Sequence, residues 1–427
     1  MRPIAWSWVI PVILIAGTRA DVLSAKVLYV GSQSPEGWAT IQAAIDAAND
    51  GDTILIQPGT YTGLGNRHLT LGGKAITIRS VSGPDVTVVD CEGADYGLYI
   101  KESKNGRTEL AGLTIRNAIR GGIRCYGSVL IRSLATGEPG GREPAAASGP
   151  SNHNAIIINR CIIEDSDDGG ILIDCHENVT IAQCIIRRNE TAGIWSYMSF
   201  PTVHNCVIVQ NEGHGIHLTG GEVVHCTIAD NAGAGLWADQ AVMANSIIRD
   251  NARDQIYSPR GGITVGYSDV LNDFPGRGNI DADPCFADVA GGDYHLRSQA
   301  GRWDPNSLTW ARDAVTSLCI DRGDPESDWS MELWPHGARV NMGAYGGTSQ
   351  ASLSLSDTGN RADLNADGAV DFSDFAILGR CWRDTSAPMT SDLDRNGGVN
   401  CGDLAVLADS WVREVKDAGP STEGTGN

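Results

Sequence analysis

"CVIVQNEGHGI", residues 206–216, is one of a set of segments that repeat along the middle of the chain. The others are "CIIEDSDDGGI" from Cys161, "CIIRRNETAGI" from Cys184, "CTIADNAGAGL" from Cys226 and "SIIRDNARDQI" from Ser246, at steps of 23, 22, 20 and 20 residues. A looser copy, "LTIRNAIRGGI", begins at Leu113. Each copy holds a short β-prone run, a polar turn and a second short run. Ile158, Ile181, Val203, Val223 and Met243 stand in register upstream of the start residue and predict a third strand.

A period near 22 residues with three short strands predicts a parallel β-helix. One coil cannot bury its own apolar face, so coils stack about 4.8 Å apart and share a core. Like residues then form ladders. Cys161, Cys184, Cys206 and Cys226 are expected inside as small hydrophobes. Asn189, Asn211, Asn231 and Asn251 are expected to bond to one another in the turn. The second turn glycine, Gly170, Gly193, Gly215 and Gly235, is expected at positive φ where the chain re-enters the strand. A leucine-rich repeat has a similar period, but its Leu-x-x-Leu-x-Leu consensus is absent.

The N-terminal side fits the same architecture. In "TIQAAIDAAND", Ile41, Ala44, Ile45 and Ala48 fall on one helical face, with Gly51 placed to end the helix. Such a helix would cover the open end of the first coil. "DTILIQPGTYTG" reads as a strand and a Pro-Gly turn. Together with "KAITIRS", "VTVVDCEG" and "INRCIIEDS", these segments resemble secreted bacterial right-handed β-helix proteins of the pectin-lyase-like superfamily. The resemblance spans residues 26–350. It includes "GNIDADPCFAD", "GGDYHLRSQAGRWDP", "CIDRGDP" and "VNMGAYGGTSQAS", which look like the last coils and cap of a planctomycete-type group. It implies a mainly β fold and leaves activity open, since lyases, hydrolases, epimerases and non-enzymes share it. Residues 133–151, rich in Ala, Gly, Pro and Ser, read as a loop leaving the helix between coils.

The chain has 427 residues, a formal charge of −20 and few lysines, with none between Lys104 and Lys416. That balance excludes the basic stripe of a nucleic-acid-binding protein. "MRPIAWSWVIPVILIAGTRA" reads as a signal peptide over residues 1–20, which predicts export, without membrane insertion after cleavage. In an exported protein cysteines ordinarily suggest disulfides, but the ladder positions point to buried thiols; a local Cys381–Cys401 bridge is left open.

His214 lies in a Gly-His-Gly, a feature that polygalacturonases place beside clustered aspartates and an Arg-x-Lys. Here Asp167 and Asp168 lie two coils from His214, about 10 Å along the axis, and an Arg-x-Lys cannot occur. The motif follows from the repeat, and His214 is expected as an exposed turn residue. A lyase would need carboxylates that hold calcium and an arginine as base; Asp165, Asp167, Asp168, Arg187 and Arg188 are the candidate catalytic set. Turn carboxylates and arginines also pair with each other on solvated faces. One position beyond the inward residue after the turn, an outward row reads Leu172, Trp195, His217, Trp237, Tyr257. Trp195, His217, Trp237 and Tyr257 are the candidate sugar-binding residues, flat rings suited to stacking on sugar C–H faces, unless a loop or the C-terminal segment covers them.

"DLNADGAVDFSD" from Asp363 and "DLDRNGGVNCGD" from Asp392 are duplicated calcium-loop patterns, with oxygen side chains at positions 1, 3, 5, 9 and 12 and Gly at 6. The candidate ligands are Asp363, Asn365, Asp367, Asp371 and Asp374 with the Ala369 carbonyl, then Asp392, Asp394, Asn396, Asn400 and Asp403 with the Gly398 carbonyl. Val370 and Val399 share position 8, and Trp382 and Trp411 fall at equal offsets. Asp rather than Glu at position 12, and one helix after each loop, make residues 361–413 resemble a type I dockerin. The resemblance implies two Ca2+ sites and a cohesin-type partner. Phe372-Ser373 and Cys401-Gly402 occupy the recognition positions that are often Ser/Thr.

The expected layout is a signal peptide (1–20), a right-handed β-helix with an N-terminal capping helix (26–350), a linker (351–360), the dockerin (361–413) and a disordered tail (414–427). The expected function is that of a secreted or cell-surface polysaccharide-associated protein. It would be a polysaccharide lyase or glycoside hydrolase, or alternatively a non-catalytic carbohydrate-binding or structural protein.

Overall fold

The computed structural model describes residues 25–31, 37–101, 106–126, 155–175, 178–356, 358, 360–365, 367–385 and 390–411. The expected signal peptide, the loop at 133–151, the tail and the last two dockerin residues lie outside these. Among the described residues the strands form three parallel sheets of ten, nine and eight strands, wound so that each coil contributes one strand to each sheet in turn. One coil is Thr202–His204, Val207–Val209 and Ile216–Leu218; the next is Glu222–Val224, Thr227–Ala229 and Leu236–Ala238. Neighbouring coils pair without slippage: Val203 opposes Val223, Ile208 opposes Ile228, and Ile216 opposes Leu236. This is the three-strand coil that the repeat predicts.

Its interior is largely apolar. Ile158, Ile181, Val203, Val223 and Met243 are buried, and Cys161, Cys184, Cys206 and Cys226 lie in the same core. Each of these four thiols points at a carbonyl one coil back, as Cys206 Sγ does at Ile181 O, 3.6 Å away. Burial holds the Cys161, Cys184 and Cys206 thiols far above their ordinary pKa. All eleven cysteines are thiols, Cys381 and Cys401 included.

Two corners recur through the central coils, and both use the left-handed backbone region at non-glycine residues. Asn205, His225 and Asn245 turn the chain from the first sheet to the second at φ 53°, 50° and 52°. Gln210, Asp230 and Asp250 end the second-sheet strand at φ 56°, 56° and 57°. Short polar side chains tolerate this region best. The buried asparagine ladder follows at once. Asn211 Nδ2 donates to Asn231 Oδ1 at 2.9 Å, and Asn189 and Asn231 repeat the bond to their own neighbours at 2.9 Å.

The turn glycines need a correction. Gly170, Gly193, Gly215 and Gly235 are absent from the positive-φ residues, so conformational freedom is not why they are glycine. The reason is close approach. A Cβ on Gly193 would sit 2.8 Å from Gly215 O, 2.8 Å from Ile208 Cγ2 and 2.9 Å from Asn211 Nδ2. The other three are hemmed in the same way by the next coil.

Helix α1, Ile41–Ala47, closes the N-terminal end, with Ile41, Ala44 and Ile45 buried on the first coil and Thr40 as N-cap. Lys74 Nζ donates to the Ile45 and Asp46 carbonyls at 2.7 and 2.8 Å, placing a cation at the helix C-terminus. From about residue 285 the chain leaves the solenoid and runs back as a strap along the outside of the nine-stranded sheet. Tyr294 and Ala344 pack on Val207, Val209 and Ala229, and Leu296 and Met342 pack on Ile247. Asn205 Nδ2 holds the strap at Ala344 O and Gly346 O, at 3.0 and 2.8 Å. Residues 351–354 are buried, with Leu353 N donating to Gly301 O at 2.8 Å, so packed structure continues into the segment expected as linker. No helix among the described residues is long and apolar enough to cross a membrane.

Candidate functional site

The strap covers the nine-stranded sheet and leaves the outer face of the eight-stranded sheet uncovered by described residues. On that face the register places Leu172, Trp195, His217, Trp237 and Tyr257 in one outward row. The same register carries the row two coils further back, to Arg124 and Tyr99. Sequence reasoning missed these two because 48 residues separate Arg124 from Leu172. A signal was nevertheless present, since Arg124 follows "GGI" just as Leu172 does.

The rings are mutually packed. Trp195 stacks on Tyr197 at 6.0 Å and 8°, and meets His217 edge-on at 6.1 Å. His217 lies 4.0 Å from Trp237, which lies 6.1 Å from Tyr257. Further back, Tyr99 stacks on Tyr126 at 6.1 Å, and Arg124 donates to the Tyr96 hydroxyl at 2.6 Å with its guanidinium 5.4 Å from that ring. Contact between neighbours limits ring rotation, so the face is preorganised.

A groove of about 510 Å³ opens along the middle of this row, from Arg124 to His217, with Asp168, Asp174, Trp195 and His214 also in its wall. His214 is half-buried rather than exposed: its Nδ1 accepts from Ala234 N at 2.9 Å, which leaves Nε2 as the protonated nitrogen of the neutral ring. Burial first, then Arg253, lowers its pKa, and burial, then His214, lowers that of His217. Both imidazoles are therefore uncharged at neutral pH.

The candidate acid–base residues divide. Arg188 binds Asp165 through Nε at 2.8 Å and through a second nitrogen at 3.0 Å. Arg187 and Arg188 each also hold Glu164 at 2.8 Å. Glu164 and Arg187 oppose each other in the nine-stranded sheet, away from the groove wall. Asp167 and Asp168 are exposed, and of the candidate set it is Asp168 that lines the groove with His214.

The C-terminal module has two helices, α2 (Phe372–Arg380) and α3 (Cys401–Ser410), each entered from a loop. Position 9 of each loop, Asp371 or Asn400, is the N-cap, and position 12, Asp374 or Asp403, completes a capping box. Position 1 bonds inward identically in both: Asp363 accepts from the Asp367 and Gly368 amides, and Asp392 from those of Asn396 and Gly397. The position-6 glycines stand at φ 90° and 93°, which favours glycine. Val370 and Val399 share one core with Leu364, Leu378, Leu393 and Leu407. Oxygen atoms of Asp392, Asp394 and Asp403 lie within 4.8 Å of one another. A hard oxygen set of this kind fits calcium, and Asp374 and Asp403, both buried, contribute charge that a cation would neutralise.

Two family models match the chain: "Right handed beta helix region" over residues 75–252 and "Dockerin type I domain" over residues 361–410. The chain thus carries a right-handed parallel β-helix followed by a C-terminal type I dockerin. Among solved structures it is similar to pectate lyase Pel9A, at 15% identity over 75% of this chain and 96% of that one, with a TM-score of 0.49. Pectin methylesterase PemA from Erwinia chrysanthemi is similar at 12% identity, over 60% and 92% of the two chains, with a TM-score of 0.41. The Azotobacter vinelandii mannuronan C-5 epimerase AlgE4 A-module is similar at 18% identity, over 56% and 68%, with a TM-score of 0.40. No curated protein matches the chain.

Proposed function

We propose that this is an extracellular polysaccharide-binding protein that grips its polymer on the eight-stranded face and is held in place by the dockerin. The observation that supports this reading is the in-register row from Tyr99 to Tyr257, whose middle members Trp195 and His217 border an open groove. Stacked aromatic platforms with a few polar groups are the usual chemistry of sugar recognition. Trp195, His217, Trp237 and Tyr257 supply the platform, and Asp168, Asp174, Arg124 and the His214 Nε2–H supply hydrogen bonds to hydroxyls.

The dockerin binds Ca2+ at both loops and, so ordered, engages a cohesin-type module through the exposed starts of α2 and α3, where Phe372 is 77% exposed. The test is affinity electrophoresis of the full chain through gels containing polysaccharides. Retention by a polymer, weakened in Trp195→Ala, supports the reading; unaltered mobility in every polymer refutes it.

A second reading, a lyase or glycoside hydrolase, draws on Asp168 and His214 sharing the groove wall. Its readouts are unsaturated uronate absorbance and new reducing ends. Loss of either product in Asp168→Asn would place the chemistry there.

A further inference from the structure

The charge pattern of the same face points to a narrower class of polymer. We infer that the groove takes an uncharged polysaccharide, laid along the solenoid axis with about one pyranose unit per coil. This rests on the polysaccharide reading above and specifies its substrate.

The first support is spacing. Parallel coils rise about 4.8 Å each, so the six steps from Tyr99 to Tyr257 extend roughly 29 Å. That rise is close to the length of one unit in an extended pyranose chain, so a polymer aligned with the axis meets the row in register. The row then offers it Tyr99, Arg124, Trp195, His217, Trp237 and Tyr257 in succession, with the buried Leu172 filling the step between Arg124 and Trp195.

Charge is the second. A polyuronate carries an anion on every unit and would need a cation on most coils. In the row Arg124 is the one cation, and it is tied to Tyr96; Lys101, exposed on the same face beside Tyr126, is a second cation at the far end. The groove wall sets Asp168 and Asp174 against it, and the two imidazoles are neutral. At the rim, Arg120 faces Asp95 at 3.2 Å and Arg260 faces Asp239 at 3.5 Å, while Arg253 stands near His214. Asp167, Glu190 and Glu212 are exposed on the turns leading into the row. A polyanion would therefore meet more like charge than opposite charge, on a chain of formal charge −20. Calcium could bridge two sets of carboxylates, but among the described residues the cluster of three close enough to share an ion lies in the dockerin. Rings without compensating cations suit sugar faces that carry hydroxyls alone.

The test runs the calcium-loaded full chain through gels of uncharged polymers (xylan, galactomannan, mixed-linkage glucan) and of polygalacturonate and alginate, at low and high salt. Expected is retention by an uncharged polymer that changes less than about twofold with salt. Trp195→Ala and Trp237→Ala should each weaken it about tenfold, near the stacking energy of one ring, with partial recovery in Trp237→Phe. Retention by the polyuronates alone, falling with salt, overturns this inference and leaves the polysaccharide reading standing. Retention by nothing overturns both.

Discussion

Asn211 Nδ2 donates to Asn231 Oδ1 across 2.9 Å, and Asn211 Oδ1 in turn accepts from Asn189 Nδ2 across 2.9 Å. One side chain thus joins three coils, and it also donates to Ile186 O at 3.2 Å. Asn211→Ala leaves several buried groups without partners at once. It should cost about 3 kcal/mol, read as a lower urea midpoint at unchanged slope.

Gly193→Ala tests close approach. Its Cβ would fall 2.8 Å from Gly215 O, a backbone atom that cannot move without shifting the next coil. A loss of more than about 2 kcal/mol is expected, measured by chemical denaturation. Gly379→Ala is the contrast: it lies in α2 with nothing within 4 Å of the added Cβ, and should stabilise the C-terminal module by about 0.5–1 kcal/mol.

Glu332 gives the strap a pH dependence. Its Oε1 accepts from Asn341 N at 2.8 Å and Gly347 N at 2.7 Å, its Oε2 has no partner among the described residues, and burial pushes its pKa up to about 8. The folded chain holds this proton to higher pH than the unfolded chain does. The group's contribution is therefore complete below the unfolded value of about 4.3 and is lost as pH rises through about 8. His225 and His336, lowered to about 4 chiefly by burial, act in the opposite sense: their contribution is present above about 6.5 and lost as pH falls through about 4. Thermal melts should show the parent losing stability relative to Glu332→Gln between about pH 5 and 8, by a few kcal/mol, and running parallel to it above.

Calcium should order the dockerin and leave the solenoid folded, because the two modules have separate cores and meet at side chains such as Arg395, which donates to Trp334 O and lies 5.5 Å from the Trp310 ring. Chelation is expected to remove the circular dichroism of α2 and α3 and spare the β signal. Asp394→Ala removes an exposed ligand that is not part of the α3 cap. In titration calorimetry it should reduce calcium uptake from two ions to one.

The repeat, the strand register and the asparagine and cysteine ladders were legible in the chain because each is a contact between like positions in adjacent coils. A period in sequence becomes a period in space, so Ile208 facing Ile228 follows from spacing. The two loops of the dockerin were legible for the same kind of reason, since ligand positions in a turn are local. The αL corners at Asn205 and Gln210, and the crowding that demands Gly193, depend on backbone geometry that residue type does not specify.

Sequence by itself therefore determined that the chain winds into stacked coils, which residues share a face, and where a dockerin follows them. Only the tertiary structure decided which face the strap covers. The strap has no period of its own, and it lies on the nine-stranded sheet because Thr227 Oγ1 accepts from Ala344 N, 117 residues away, and Tyr294 fits beside Val207, Val209 and Ala229. That non-local packing leaves Trp195 and Trp237 uncovered among the described residues, while the register of adjacent coils pairs Glu164 and Asp165 with Arg187 and Arg188 on the flank, away from the groove.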